Sequence, residues 1–204
     1  MGGFRKPPPP SGRIESEQNF VGGCGIVAKH IAATRAAVRI ISIVGDDAFG
    51  RFAIQDLEEA GVKCHIRVTD DRPTTHKSVV IADGYRMIRM DTVDNKTVDY
   101  ETLVDMTTQL SNCHADAVIF SDFRHGIFNK ATIPSFLAAA PRNAFTVGDS
   151  QVASRWGNIL EFAGCDMLTP NEEEVRFALG DQDSVIRPLG STLYDQARCK
   201  ILML

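Results

Sequence analysis

The sequence predicts an α/β fold, a parallel-sheet core carrying a small antiparallel β lid, and three observations predict it. Short apolar runs at residues 38–44, 117–120 and 145–147 are mostly β-branched, as strands buried on both faces of a parallel sheet are. A fourth, briefer apolar piece at 165–169 stops at Pro170, which cannot donate a ladder hydrogen bond. Helical patterns lie between these runs, which is the βαβ signature. From Val62 the period changes: Val62, Cys64, Ile66 and Val68 alternate, as do Val79 with Ile81 and Met87 with Arg89 and Asp91. Consecutive period-two strands without intervening helices suit a small antiparallel sheet with one wet face, expected over about residues 62–93 together with a strand at 13–21.

Each core strand ends in acids or amides: Gly45-Asp46-Asp47, Ser121-Asp122, Gly148-Asp149 and Thr169-Pro170-Asn171. All carboxyl ends of a parallel sheet lie on one edge, and ligands bind in the crevice outside it. Asp46, Asp122, Asp149 and Asn171 are therefore expected to share one rim.

In chain order, residues 1–12 contain Pro7-Pro8-Pro9-Pro10 and lack periodicity, so they are expected to form a disordered leader, a partner-docking polyproline segment being the alternative. Residues 13–204 are expected to form one domain. Gly22-Gly23-Cys24-Gly25 opens a helix along Ile26, Val27, Ile31 and Ala32. Glycines there either aim free N–H groups at a ligand or merely make a tight corner. Gly23 to Ala28 also fits the dinucleotide pattern G-x-G-x-x-A, which leaves an NAD-dependent Rossmann oxidoreductase as an alternative; the polar residues 15–19 before it argue against a buried strand.

Asp46 or Asp47 caps a helix through Phe49, Phe52 and Leu57 that Gly61 closes. On the lid, Lys77 or Arg89 would grip an anionic substrate, unless Arg89 and Asp91, which share parity, pair with each other. Residues 98–110 are a surface helix. His125 is a loop histidine expected in solvent, Trp156 is expected to plug a core gap, and residues 181–190 are expected to be a polar loop before a helix at 193–198. Asn171 stands where a helix N-cap would, and Glu172, Glu173 and Glu174 fall in the first turn, where the macrodipole favours negative charge.

Bulk properties exclude several classes. A net charge of −4 with no basic run argues against nucleic acid. No apolar window spans a bilayer and no signal peptide is visible, so a cytoplasmic protein without a membrane partner is expected. Five widely spaced cysteines, odd in number and without CxxC, are expected to be reduced thiols.

Taken together, these pieces resemble the ribokinase-like (PfkB) carbohydrate kinases over about residues 13–204. The blocks stand in the family's order: Gly22-Gly23, Gly45-Asp46-Asp47-Ala48-Phe49-Gly50, Arg72-Pro73-Thr74-Thr75-His76-Lys77, Ile88-Arg89-Met90-Asp91, Ser121-Asp122-Phe123-Arg124-His125-Gly126 and Thr169-Pro170-Asn171-Glu172-Glu173-Glu174. The third to fifth look closest to the heptose 7-phosphate kinase domain of ADP-heptose synthesis.

The resemblance implies phosphoryl transfer from ATP, with Mg²⁺, to a sugar or sugar-phosphate hydroxyl. It implies sugar-side roles for Gly22, Gly23, Lys77, Arg89 and Asp122. Asn171, Glu174 and Asp149 fall on the nucleotide side, with Glu174 near the metal.

Departures stand beside it. Ile26 replaces an Asn that touches sugar, and Val79 replaces an Arg two residues after the lid lysine. His125 replaces a lysine, and Asp149-Ser150-Gln151 stands for Asp-Pro-Lys. The family's first strand has no counterpart before Arg13, and its Gly-Ala-Gly-Asp catalytic segment would follow Leu204, so no residue here is assigned catalysis. The expectation is a truncated kinase, inactive by itself, able to form a homodimer through the lid or an open sheet edge. A nonenzymatic sugar-phosphate or nucleotide binder on the same fold is the alternative.

Overall fold

A computed structural model describes residues 11–151 and 158–204. The expected leader lies mostly, and Trp156 wholly, outside them. The parallel core forms two ladders. In the first, β1 (Arg39–Gly45) pairs in parallel with β2 (Lys63–Thr69). In the second, β5 (Ala117–Asp122), β6 (Phe145–Ser150), β7 (Met167–Leu168) and β8 (Ile201–Leu202) run parallel in that order. Between them in sequence lies an antiparallel ribbon of β3 (His76–Ala82) and β4 (Tyr85–Thr92).

Two lid expectations change. Lys63–Thr69 belongs to the core, parallel to β1, and residues 13–21 form no strand and are almost wholly exposed. β2 alternates because it is an edge strand with two different covers. Cys64 and Ile66 pack with α2 (Ala48–Glu59), while His65 and Arg67 turn to Asp105 and Glu101 of α3 (Tyr100–Ser111).

The helices begin and end where local chemistry dictates. Asp47 caps α2, its carboxylate accepting from the Gly50 amide at 2.8 Å, and Gly61 leaves the helix at φ 81°. The ribbon turns through Asp83 and Gly84, both at positive φ as a two-residue hairpin turn requires. The last helix, α6 (Ile186–Ala197), starts within the segment expected to be loop. Pro188 lies in its first turn, where the missing N–H has no intrahelical partner to lose.

The main core lies on the β5–β8 ladder. Phe120, Phe162, Leu168, Val175, Leu189 and Leu193 are buried there, and Phe128 meets the rings of Phe120, Phe136 and Phe162 edge-on. α4 (Ile133–Ala139) and the 3-10 turn Ile159–Phe162 close it. Ala28, Ile40, Leu57 and Val62 form a smaller core where α1 (Gly23–Ala33) and α2 cover β1. β1 and β5 are not hydrogen-bonded to each other; α1 packs against both. Among the described residues no helix is long and apolar enough to cross a membrane.

Candidate functional site

Parallel pairing within each ladder sets the carboxyl ends of its strands on one edge, and hydrogen bonds link these ends in series. At the end of β1, the Thr74 hydroxyl accepts from the Gly45 amide at 2.9 Å, and Asp47 accepts from the Thr74 amide at 2.8 Å. Burial would push the Asp47 carboxyl up, but the amides of Thr74 and Gly50 outweigh it and hold the group below the usual carboxylate range. Arg72 then reaches from this end to the loop after β5, donating to the carbonyls of His125 at 3.3 Å and Lys96 at 2.8 Å. Beside that loop, a Cβ added to Gly23 would stand 3.7 Å from the Phe123 ring, so the start of α1 abuts the end of β5.

Between β5 and β6 the link is a buried ion network. Asp122, expected at the crevice edge as a substrate contact, is instead only 1% exposed. Its carboxylate accepts from the Arg124 amide at 2.7 Å and from the Ser150 hydroxyl at 3.1 Å. The Arg124 guanidinium donates to Ser150 at 2.9 Å and to Glu161 at 2.9 Å. Its Nε lies 2.9 Å from Asp122 but is not aligned as a hydrogen bond, so the attraction at that atom is charge on charge. Burial raises the Asp122 pKa, and Arg124 opposes the rise. Arg124 adopts φ 58°, a left-handed conformation that costs a non-glycine residue about 1–2 kcal/mol. As the structure stands, the Asp122 carboxylate is turned into this network. Asp122 holds the rim together.

Next along the edge, the Thr169 hydroxyl donates to Asp149 at 2.9 Å, joining β6 to the segment after β7. Asn171 then caps α5 (Glu172–Leu179) in a full capping box. Its side chain accepts from the Glu174 amide at 2.9 Å, and the Glu174 carboxylate accepts from the Asn171 amide at 2.9 Å. Glu174 is buried at 5% exposure, and Gly180 ends the helix at φ 65°.

The structure thus brings Asp47, Gly23, Asp149, Asn171 and Glu174 to linked strand ends. Asp46 lies at the same end of β1 but points outward, 2.9 Å from Arg51.

On the ribbon, Arg89 grips Asp91 with two bonds of 2.7 and 2.6 Å, which is the pairing alternative. Lys77 is exposed and makes no ion pair among the described residues. His125 is half-buried, with Nδ1 3.0 Å from Asn95, and is not the solvated loop histidine expected. Arg124 and Thr74 are the residues that sequence reasoning missed. Thr74 had a signal in the Pro-Thr-Thr block, whereas a charged residue beside an aspartate in a loop gives no sign that it will be buried.

Comparisons with known proteins fit this arrangement. Escherichia coli phosphofructokinase-2, in its tetrameric inhibited form, superposes with TM-score 0.69 at 15% identity, over 94% of this chain and 67% of that one. Arabidopsis thaliana ribokinase complexed with ribose and ATP gives TM-score 0.66 at 17% identity, over 94% and 62%. The fold is ribokinase-like.

The family described as pfkB family carbohydrate kinase matches residues 3–193, and the chain belongs to it. Among curated relatives, a bifunctional protein HldE from Nitratiruptor is 28% identical, covering 82% of this chain and 35% of its own length. A D-beta-D-heptose 7-phosphate kinase from Bordetella bronchiseptica is 26% identical, over 85% and 54%. The chain therefore spans between about a third and about half of these two relatives.

Proposed function

We propose that this chain binds Mg-ATP and a sugar phosphate, heptose 7-phosphate foremost, as a carbohydrate kinase domain that directs phosphate to a sugar hydroxyl. The observation that carries this is the linked rim, with a glycine helix start at one end and a capped acidic helix start at the other. Phosphoryl transfer asks mainly for positioning and charge stabilisation, which a fixed rim beneath a movable ribbon is built to give. The names of the HldE and heptose kinase relatives support heptose phosphate over other sugars.

In this reading Gly22 and Gly23 present amides on the sugar side and Lys77 meets the substrate's phosphate from the ribbon. Asp149, Asn171 and Glu174 serve the nucleotide side. Mg²⁺ keeps much of its water and takes one or two carboxylates beside the phosphates, and Glu174, whose carboxylate accepts from the Asn171 amide, would be the one to contribute. The ion would supply charge neutralisation at the transferred phosphate.

Calorimetric titration with Mg-ATP and with heptose 7-phosphate reads binding whether or not chemistry follows, and isotopic ATP then reports transfer. Saturable binding of both is expected, with heptose 7-phosphate preferred over fructose 6-phosphate. A chain that binds neither overturns the reading.

The same reading includes a homodimer through the ribbon face bearing Val80, Ile88 and Met90, each 45–53% exposed, since an apolar face of that kind needs cover. Sedimentation should show a concentration-dependent dimer that Ile88→Glu abolishes.

A further inference from the structure

The register of the ribbon sets Lys77 opposite Asp91 and Val79 opposite Arg89. Directly opposed residues share a face of an antiparallel pair, so Lys77, Val79, Arg89 and Asp91 stand together. In this stretch, before the register shift that follows Val80, the other face carries Ser78, Val80, Ile88 and Met90. Asp91 feels the pull first of Arg89, then of Lys77 and of His125, whose backbone carbonyl accepts from Arg72 at the rim. His125 belongs to the loop after β5, so Asp91 lies within electrostatic reach of the rim.

On that face two cations meet one carboxylate. Arg89 spends its planar fork on Asp91 through two short bonds, although a phosphate monoester asks for the same bidentate geometry. The side chains of Arg89 and Asp91 are 58% and 34% exposed, so their pairing is cheap to break. An exposed ion pair shifts an equilibrium by no more than about fivefold. The carboxylate also remains close by and repels an arriving dianion.

We propose that Asp91 is a built-in competitor for the anionic end of the substrate, occupying Arg89 until a phosphate displaces it and so setting how strongly phosphorylated sugars are preferred over neutral ones. This rests on the sugar-phosphate reading above and names the residue that tunes it. Val79 gives the competition its weight. With no second arginine at that position, the fork of Arg89 is, among the described residues, the one guanidinium beside Lys77 and Asp91; Arg86 lies beyond the register shift, opposite Ile81.

The test titrates the 204-residue chain with heptose 7-phosphate, the dephosphorylated heptose and inorganic phosphate, for wild type, Asp91→Asn and Asp91→Asn/Arg89→Gln. Thermal melts confirm that each variant folds, which the exposure of the ribbon favours. Asp91→Asn is expected to bind heptose 7-phosphate and inorganic phosphate about threefold to tenfold tighter, with the neutral sugar unchanged, and Arg89→Gln should cancel the gain.

An Asp91→Asn protein that binds phosphate no tighter, or that gains equally for the neutral sugar, overturns the proposal. Loss of sugar binding throughout, with the inorganic phosphate gain intact, would overturn the heptose reading and leave the competition standing. Absence of every binding signal sinks both.

Discussion

The β5–β8 ladder and the β1–β2 pair with its ribbon are built on different terms. Among the described residues, sixteen hydrophobic residues form the buried cluster on the first, and four form the cluster beside β1 and β2. The ribbon carries Val79, Val80, Ile81, Tyr85, Met87, Ile88 and Met90 in solvent. A two-stranded ribbon has little stability of its own, whereas a ladder covered by helices on the buried scale seen here carries most of a domain's. The strand ends are thus held by a rigid body, while Lys77 and Arg89 ride on an element whose loss the body would survive. Stability and charge recognition are separated in space, and substitutions can address them one at a time.

The harshest way to break that contrast is inside the rigid half. Arg124→Ala leaves the Asp122 carboxylate buried beside a vacated cavity, and urea unfolding should show a loss of about 3–5 kcal/mol. Asp122→Asn added to it should recover part of the loss, because the uncompensated charge then goes.

Gly148→Ala tests packing in the same half. A Cβ there would meet Leu168 and Phe162 at 2.8 Å, and about 1–3 kcal/mol is expected by the same measurement.

In the lighter half the effect shrinks. Asp47→Ala removes the α2 cap and the tie to Thr74, for about 1 kcal/mol, and hydrogen exchange should quicken at the Gly50 and Thr74 amides. Ile81→Thr, on the ribbon face away from the proposed interface, should stay within about 0.5 kcal/mol. A large effect there would mean that the ribbon is packed against something, which would redraw the comparison.

Much of this was readable before any coordinates. Strands β1, β5 and β6 announce themselves because burial on both faces demands apolar β-branched runs, and the capping box at Asn171 and Glu174 is written in residue types three apart. The sequence assigns β2 to the lid because alternation reports two unlike faces and says nothing of strand direction; Cys64 and Ile66 against α2 and His65 and Arg67 against α3 produce the same pattern as a lid strand would. The start of α6 is hidden in the sequence because Pro188 and Gly190 look like breakers, while the burial of Leu189 and Leu193, to 1% and 0%, is a tertiary property. The burial of Arg124 and Asp122 was illegible. Their pairing depends on Ser150 and Glu161 arriving from elsewhere in the chain, and nothing local encodes that meeting.

Gly126 has a mechanical corollary. Any side chain at this position would run into the Lys96 carbonyl, and the Gly126 carbonyl in turn accepts from the Val98 amide at 3.0 Å. The segment returning from β4 is riveted to the loop beyond β5, just as Thr74 is riveted to β1 at the other stem. Any swing of the ribbon is therefore confined to the chain beyond these ties, past His76, whose ring stacks on Phe49 at 4.2 Å, and before Asn95, which His125 holds at 3.0 Å.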